Sequence, residues 1–384
     1  MRGEDSADLD TRCMTRALEL ALRGRGGAEP NPLVGCVIAD GQSILGEGWH
    51  AVFGGAHAEV AALRNCASCP AGCTMYVTLE PCNHYGKTPP CVDAILKASL
   101  KRVVVAMADP HEKVAGSGIR RLRDAGVEVQ TGVCEAQARK LNAPYLHRLA
   151  TGCCWVIGKW AMSLDGKIAT SSGESRWISN EQSRQIVHEL RGRVDGIVVG
   201  RGTLERDDPL LTARPAGPRT ATRVVLSTSG TIPADSQLLR TARDIPVVVV
   251  ASTSMRPEQR KQLDAWGCQT LVVDADDASQ RWRQMLRSFA GWGWTNLLVE
   301  GGARVLGDCL DAGVLNEWHL FLAPRLIGGA TAPSPFAGHG VTRLDQSACA
   351  PPCEIRRLGD DVYLWGMRES GSESNGLHKR AGSR

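Results

Sequence analysis

Pro81-Cys82-Asn83-His84-Tyr85-Gly86-Lys87-Thr88-Pro89-Pro90-Cys91, with His57-Ala58-Glu59 upstream, gives the chain one histidine and two cysteines of the kind that bind Zn²⁺. Three protein ligands leave a fourth position for water, as in a catalytic zinc, whereas a structural zinc is closed by a fourth side chain. Glu59 stands two residues after the histidine, close enough to pass a proton between an activated water and a leaving amine without being a ligand. The chemistry this predicts is hydrolytic deamination. Zinc deaminases of bases and nucleosides carry H-x-E followed by P-C-x-x-C, whereas here eight residues separate Cys82 from Cys91. Singly, these residues are ordinary members of a cysteine-rich chain. The triad, the adjacent carboxylate and Pro81 before Cys82 together favour the metal site.

The 384 residues are about twice a usual domain, which predicts two domains. Hydrophobic residues at 43% suffice for two cores, and a net charge of +4 is too small for a nucleic-acid or membrane footprint. A small-molecule substrate fits better, with no nucleic-acid and no membrane partner, and a homo-oligomer is compatible. Met1 to Ser6 contains acids and no apolar signal-peptide core, and no run reaches the roughly 18 apolar residues of a membrane span, so a cytoplasmic protein is expected. Fourteen cysteines in such a chain read as thiols and ligands rather than as disulfides. Cys66, Cys69 and Cys73 form a C-x2-C-x3-C of the kind that could hold a second metal, but the stretch from Asn65 to Gly72 reads as a surface loop and no fourth ligand is evident.

Leu9, Cys13, Ala17 and Leu20 recur at helical spacing, and the glycines from Gly24 to Gly27 end that helix. Val34 to Ala39 and Ile44 to Trp49 read as strands across the Asp40-Gly41 turn. His57 to Leu63 reads as a helix with His57 and Glu59 in its first turn, where the helix dipole favours a carboxylate. Thr74 to Leu79 is the strand that leads to Cys82, and Pro89-Pro90 start the helix of Cys91. Arg102 to Ala106 and Val127 to Val129 read as buried strands, and Ala136 to Leu149 as one helix. The expectation is an α/β sandwich with the metal between two helix starts.

Thr151-Gly152 then marks a boundary: a first domain over 1–150, a second over 151–367, and a polar tail over 368–384 expected to be disordered. In the second domain Trp155 to Met162, Gly196 to Val199, Arg223 to Leu226, Pro246 to Ala251, Leu271 to Val273 and Asn296 to Val299 read as strands. Asn180 to Arg191, with Ser179 and Gln182 as a capping box, and Ala278 to Phe289 read as helices. Such alternation predicts a largely parallel sheet. No G-x-G-x-x-G opens this half, which disfavours a Rossmann site. Glu300-Gly301-Gly302 offers instead a close backbone approach to a pyrophosphate and the N-terminus of a following helix.

The HAE and EPCNHYGKTPPC segments resemble the deaminase half of the bifunctional deaminase/reductase family of bacterial riboflavin biosynthesis. Ser163-Leu164-Asp165-Gly166-Lys167, Gly173-Glu174-Ser175-Arg176-Trp177, Gly202-Thr203 with Asp207-Asp208-Pro209, and Leu211-Thr212-Ala213-Arg214, taken with Glu300-Gly301-Gly302, resemble its reductase half. The resemblance implies a cytidine-deaminase-like α/β/α sandwich followed by a dihydrofolate-reductase-like α/β domain. It implies one Zn²⁺ on His57, Cys82 and Cys91, with NADPH in the second domain. The reactions implied are deamination of 2,5-diamino-6-(ribosylamino)-4(3H)-pyrimidinone 5'-phosphate and then reduction of the ribosyl group to ribityl.

Residue by residue, Glu29-Pro30-Asn31-Pro32 followed by Val34-Gly35-Cys36-Val37 makes Asn31 a base contact by this resemblance, and Gly48-Trp49-His50 puts His50 in the pocket. His84 and Lys87 then meet the ribose phosphate. Phe53-Gly54-Gly55 departs from the family, which more often has Ala-Gly and a polar residue there. In the reductase half Ala161, Trp177, Thr203, Asp207 and Gly302, Ala303, Arg304, Val305, Leu306, Gly307 and Asp308 would line the NADPH site. Ser175, Arg191, Leu211, Arg214 and Glu300 would meet the substrate, the two arginines on its phosphate. Lys159 is the candidate proton donor. Ser227 stands where the family often has Asp, and Thr228, with Arg223 or Arg243 as cation, is the candidate contact for a 2'-phosphate. Plain readings stand beside these: Asn31 as a turn residue, Lys87 as a solvated lysine, Trp177 as core, Arg191 as a solvated helix face. A deaminase of nucleic-acid bases would need a basic, aromatic-lined channel, and aromatic residues are only 5%.

Overall fold

A computed structural model of the chain describes residues 2–67, 72–86, 88–112, 114–275, 277–348, 350 and 354–368, with only the backbone of residues 2–6. Lys87, Cys69 and residues 369–384 of the tail lie outside the described residues. The chain divides into two compact units, Met1–Ala150 and Thr151–Arg384.

The first unit runs α1 (Arg2–Leu22), β1 (Gly35–Asp40), β2 (Ser43–Trp49), α2 (Ala58–Arg64), β3 (Thr74–Val77), α3 (Cys91–Lys97), β4 (Arg102–Val105), α4 (Ser117–Asp124), β5 (Glu128–Thr131), α5 (Glu135–Leu141) and α6 (Ala143–Thr151). Its sheet has the order β2-β1-β3-β4-β5, with β1 antiparallel to β2 and β3 and the remaining pairs parallel. Side chains alternate across a strand, so Ile38, Met75, Val77, Val103 and Val105 pack against α2, α3 and α4. Val37, Tyr76 and Val104 pack on the opposite face against α1 and α5. This is the three-layer sandwich expected.

Three local expectations need correction. His57 is the extended N-cap of α2 rather than part of its first turn. Residues Val127 to Val129 do not form a buried strand: β5 is the edge of the sheet and most of it faces solvent. The helix expected over Ala136 to Leu149 is broken at Asn142, whose side chain accepts from Leu33 N at 2.8 Å and donates to Leu33 O at 3.0 Å. Pro144 adds to the break, having no N–H for the carbonyl one turn back.

The second unit runs β6 (Trp155–Ser163), α7 (Glu181–Arg191), β7 (Gly196–Gly200), α8 (Arg201–Asp207), β8 (Thr222–Leu226), α9 (Gln237–Arg240), β9 (Val247–Ala251), α10 (Pro257–Ala265), β10 (Gln269–Val272), α11 (Ala278–Gly291), β11 (Asn296–Val299), α12 (Ala303–Asp311), β12 (Glu317–Ala323), β13 (Glu354–Leu358) and β14 (Asp361–Met367). The strand order is β10-β9-β8-β7-β11-β6-β12-β14-β13, parallel except that β14 runs against both of its neighbours. One face buries Val156, Val198, Val224 and Val299 beneath α11 and α12, and the other packs Phe321 and Tyr363 against Val187 of α7. The cap of α7 is Asn180, whose side chain accepts from Ser183 N at 3.0 Å, so Ser179 lies one residue outside it and the Ser179–Gln182 box does not form. Among the described residues no helix is long and apolar enough to cross a membrane.

Candidate active sites

The extended backbone at His57 turns into α2, the segment after β3 delivers Cys82, and Pro90 caps α3 so that Cys91 is its first residue. The three ligand atoms lie within 4.8 Å of one another. His57 Nδ1 is 3.2 Å from Cys91 Sγ and 3.5 Å from Cys82 Sγ. A tetrahedral zinc with ordinary Zn–N and Zn–S bonds requires N···S edges of about 3.5 Å, so the donor set fits that ion. Cys91 N donates to Cys82 Sγ at 3.3 Å, which favours thiolate on Cys82.

Glu59 is buried in the first turn of α2, and that burial pushes its carboxyl up to about 7. His50 packs edge-on against His57 with ring centroids 5.3 Å apart. Its Nδ1 lies 3.0 Å from the Ala56 carbonyl and must carry the proton, so Nε2 is the acceptor for Asn31 Nδ2 at 3.1 Å. Asn31 and His50 are therefore coupled and stand beside the metal ligand. His84 is half-buried, and its Nδ1 has no hydrogen-bond partner among the described residues.

In the second unit a cleft of about 1110 Å³ opens at the ends of β7, β8 and β9 beside α11 and α12. Thr203, Thr228, Gly302, Ala303, Arg304, Val305 and Asp308 line it. Gly301 and Gly302 have φ of 147° and 56°, values that favour glycine. A Cβ on Gly302 would also lie only 3.0 Å from Thr203 Oγ1. A backbone cradle at the start of a helix, with Arg201, Arg206, Arg281 and Arg304 around it, suits a dinucleotide's phosphates. NADPH therefore fits the residues present.

Other expected cofactor residues stand elsewhere. Leu306 is core, and Gly307 abuts the Ala337 carbonyl, where a Cβ would come within 1.7 Å. Both lie on the inward side of α12. Ala161 packs beside the Phe321 cluster, and Trp177 is exposed under the Arg184 guanidinium. Asp207 accepts from Ser175 Oγ at 3.5 Å. Ser227, by contrast, does line the cleft, and its hydroxyl donates to Thr231 O at 2.8 Å. Arg223 is fully buried, with its guanidinium on the Leu238, Thr241 and Ile245 carbonyls, and Arg243 donates to Ala265 O. Neither lines the cleft, which corrects their assignment as phosphate cations. Arg281, Ser252 and Ser254 do line it and were missed, because their spacing on a helix face and a loop carries no motif.

Lys159 on β6 and Glu300 just after β11 are neighbours, because Val299 pairs with Gly158 in the parallel register. Burial pulls the Lys159 ammonium down while Glu300 supports its charge. Burial opposes a charged Glu300 too, yet Arg191 holds it below the ordinary carboxyl value. Arg191 grips Glu300 through two bonds of 2.5 and 2.8 Å and donates to Thr212 O at 3.2 Å, so it is not the free cation expected for a phosphate. Arg214 is exposed and Leu211 buried. His188, which sequence reasoning passed over, faces Thr212 O at 3.2 Å beside this group.

Residues 7–107 match the family model of the cytidine and deoxycytidylate deaminase zinc-binding region, and residues 154–362 that of the RibD C-terminal domain. The riboflavin biosynthesis protein RibD of Bacillus amyloliquefaciens is 39% identical over 367 residues, which cover 95% of this chain and 98% of that protein. The structure of Acinetobacter baumannii RibD, form 1, is similar at a TM-score of 0.83 and 35% identity, covering 95% of this chain and 100% of that one. A diaminohydroxyphosphoribosylaminopyrimidine deaminase/5-amino-6-(5-phosphoribosylamino)uracil reductase from Thermotoga maritima is similar at a TM-score of 0.81 and 30% identity, covering 94% and 99% of the two chains. With both halves matched and identity sustained along nearly its whole length, the chain belongs to the RibD family of riboflavin biosynthesis proteins.

Proposed function

We propose a division of labour for the bifunctional deaminase and reductase that this family membership makes the chain: the first unit deaminates 2,5-diamino-6-(ribosylamino)-4(3H)-pyrimidinone 5'-phosphate, and the second reduces the ribosyl group of the product to ribityl. The observation that carries this reading is the meeting of His57, Cys82 and Cys91 beside the buried carboxyl of Glu59. These three residues would hold Zn²⁺, which when bound supplies Lewis acidity toward water. Glu59 takes the proton released as water adds to the amino-bearing ring carbon and returns it to the departing ammonia. A carboxyl near neutrality does both. Asn31 and the neutral His50 orient the ring, and His84 and Lys87 meet the phosphate.

In the second unit the Gly301-Gly302 turn and the start of α12 would hold the pyrophosphate of NADPH, which supplies a hydride. Lys159, kept beside Glu300, gives a proton from Nζ to the ring oxygen as the hydride reaches C1' and the ribose opens. Ser175, Leu211 and Arg214 would meet the substrate of this step. A cytoplasmic location suits both small-molecule steps.

The test is product mass after incubation with the diaminopyrimidine phosphate. Without NADPH the amino group should be replaced by oxygen, and with NADPH two further hydrogens should be gained. Ammonia released from an RNA oligomer but not from the free pyrimidine phosphate would overturn the reading in favour of a nucleic-acid deaminase.

A further inference from the structure

Glu80 and Arg121 belong to neither reacting group, yet together they fix the segments that carry both cysteines. Glu80, two residues before Cys82, is 4% exposed. Its Oε2 accepts the backbone N–H groups of Asp109 at 3.2 Å and Gly116 at 3.0 Å, and its Oε1 those of Gly118 at 2.9 Å and Ile119 at 3.2 Å. A carboxylate has about four acceptor sites, so this one is filled entirely by the loop before α4 and the first turn of that helix. Gly118 permits the approach: a Cβ there would lie 2.0 Å from the Pro81 carbonyl oxygen.

Farther along α4, Arg121 reaches the other flank. Its Nη1 donates to Asn83 Oδ1 at 2.7 Å, next to Cys82, and its Nη2 pairs with Asp93 Oδ1 at 2.6 Å, two residues after Cys91. One helix thus holds the chain immediately before Cys82, immediately after it, and just beyond Cys91. Between the cysteines the described residues form neither helix nor strand. Local ties there are Cys91 N to Cys82 Sγ and Val92 N to Cys82 O, at 3.3 Å each.

We propose that Glu80, with Arg121 as its outer partner, is a positioning residue of the metal centre: by clamping both cysteine-bearing segments to α4 it sets the separation of the two sulfurs. The proposal rests on the zinc reading given above. The rival is a carboxylate that stabilises the fold and leaves the metal indifferent. Exposed ion pairs contribute little to stability, and the Arg121 and Asp93 side chains are 44% and 36% exposed. Loss of Arg121 therefore separates metal geometry from folding.

The experiment uses the full chain and three variants, Glu80→Gln, Arg121→Met and Arg121→Lys, at a temperature well below melting of the metal-free protein. Zinc affinity is read by chelator competition, and geometry by the thiolate charge-transfer and d–d bands of the Co²⁺-substituted chain. Glu80→Gln turns an amide donor toward two backbone N–H groups and should weaken zinc binding by about tenfold or more, with displaced Co²⁺ bands. Arg121→Met should move both readouts the same way by less, at nearly unchanged melting temperature. Arg121→Lys should recover part of the loss, since an ammonium lacks the fork that spans Asn83 and Asp93. Wild-type zinc affinity and Co²⁺ bands in Glu80→Gln and Arg121→Met would overturn the proposal, even if melting falls. Should Glu80→Gln not fold, Arg121→Met decides on the same two readouts. Absence of zinc binding by the wild-type chain would instead overturn the metal centre itself, and the proposal with it.

Discussion

Glu59 lies two residues from His57 and is sealed in the first turn of α2, so its separation from the ligand atoms is a matter of helix geometry rather than of flexible reach. Glu59→Gln keeps the volume and loses the carboxyl that can take up and return a proton. It should retain about one zinc per chain, measured by metal analysis, and lose ammonia release by about a hundredfold or more, the usual scale for general acid–base catalysis. Full turnover in that variant would remove Glu59 from the proton path. At this scale the metal ligands were legible because ligand chemistry is carried by residue type and short spacing. Arg223 was misread for a reason also present in the sequence. Side chains alternate along a strand, so Arg223 and Leu226 take opposite faces of β8: Leu226 lines the cleft, as does Thr228 in the turn just past the strand, whereas Arg223 is buried on the other face, where it meets Thr241 and the Leu238 carbonyl.

Elements that were read were right in type and misjudged at their ends and edges, whereas the short helices α4, α9 and α10 were not read at all. Ser179 and Asn180 are both good N-caps, and only the register of α7 against β14, where Asn180 N meets Asp361 at 2.8 Å, selects the second. Helix α1 shows how an element is tied down by a buried polar group. Asp10 accepts from Tyr76 Oη at 2.9 Å on β3 and from Arg102 at 2.8 and 2.6 Å on β4. Burial works against the charged Asp10, yet these bonds hold its carboxyl below the ordinary value. A depressed folded value means that the stabilisation is complete above the unfolded carboxyl pKa of about 3.9 and is lost as pH falls through the folded one. Asp10→Asn should destabilise the first unit by on the order of 3 kcal/mol at neutral pH. The gap from wild type should narrow below about pH 4, read as exchange protection of β3 and β4 amides. A constant gap down to acid would exclude Asp10 as the titrating group. In the second unit Thr228, Ser252, Ser254 and Arg281 line the cleft. They should give NADPH at least tenfold higher kcat/KM than NADH, a difference of about 1.4 kcal/mol. Thr228→Ala and Arg281→Ala should each lower the ratio. Equal use of both cofactors by the wild type would overturn the NADPH preference.

At the scale of the whole chain, length and two complete sets of motifs pointed to two domains, whereas the strands β12 to β14 that finish the second sheet carried no motif and were missed. Their order is non-local: β14 inserts between β12 and β13, and β12 joins β6 across most of the unit, pairings that period and propensity do not encode. Each unit nevertheless closes its own cores. The apolar clusters around Ile38 and Val37 draw their members from the first unit, and those around Val156 and Phe321 from the second. A core completed within a segment is what independent folding requires, so residues 1–150 expressed alone should give a folded, zinc-containing deaminase that releases ammonia without NADPH. Residues 151–384 alone should reduce the separately prepared deaminated product with NADPH. Metal analysis, ammonia release and NADPH oxidation on the two fragments check this directly. An insoluble or metal-free first fragment, alongside an active full chain, would mean that the deaminase needs the reductase segment to complete its fold.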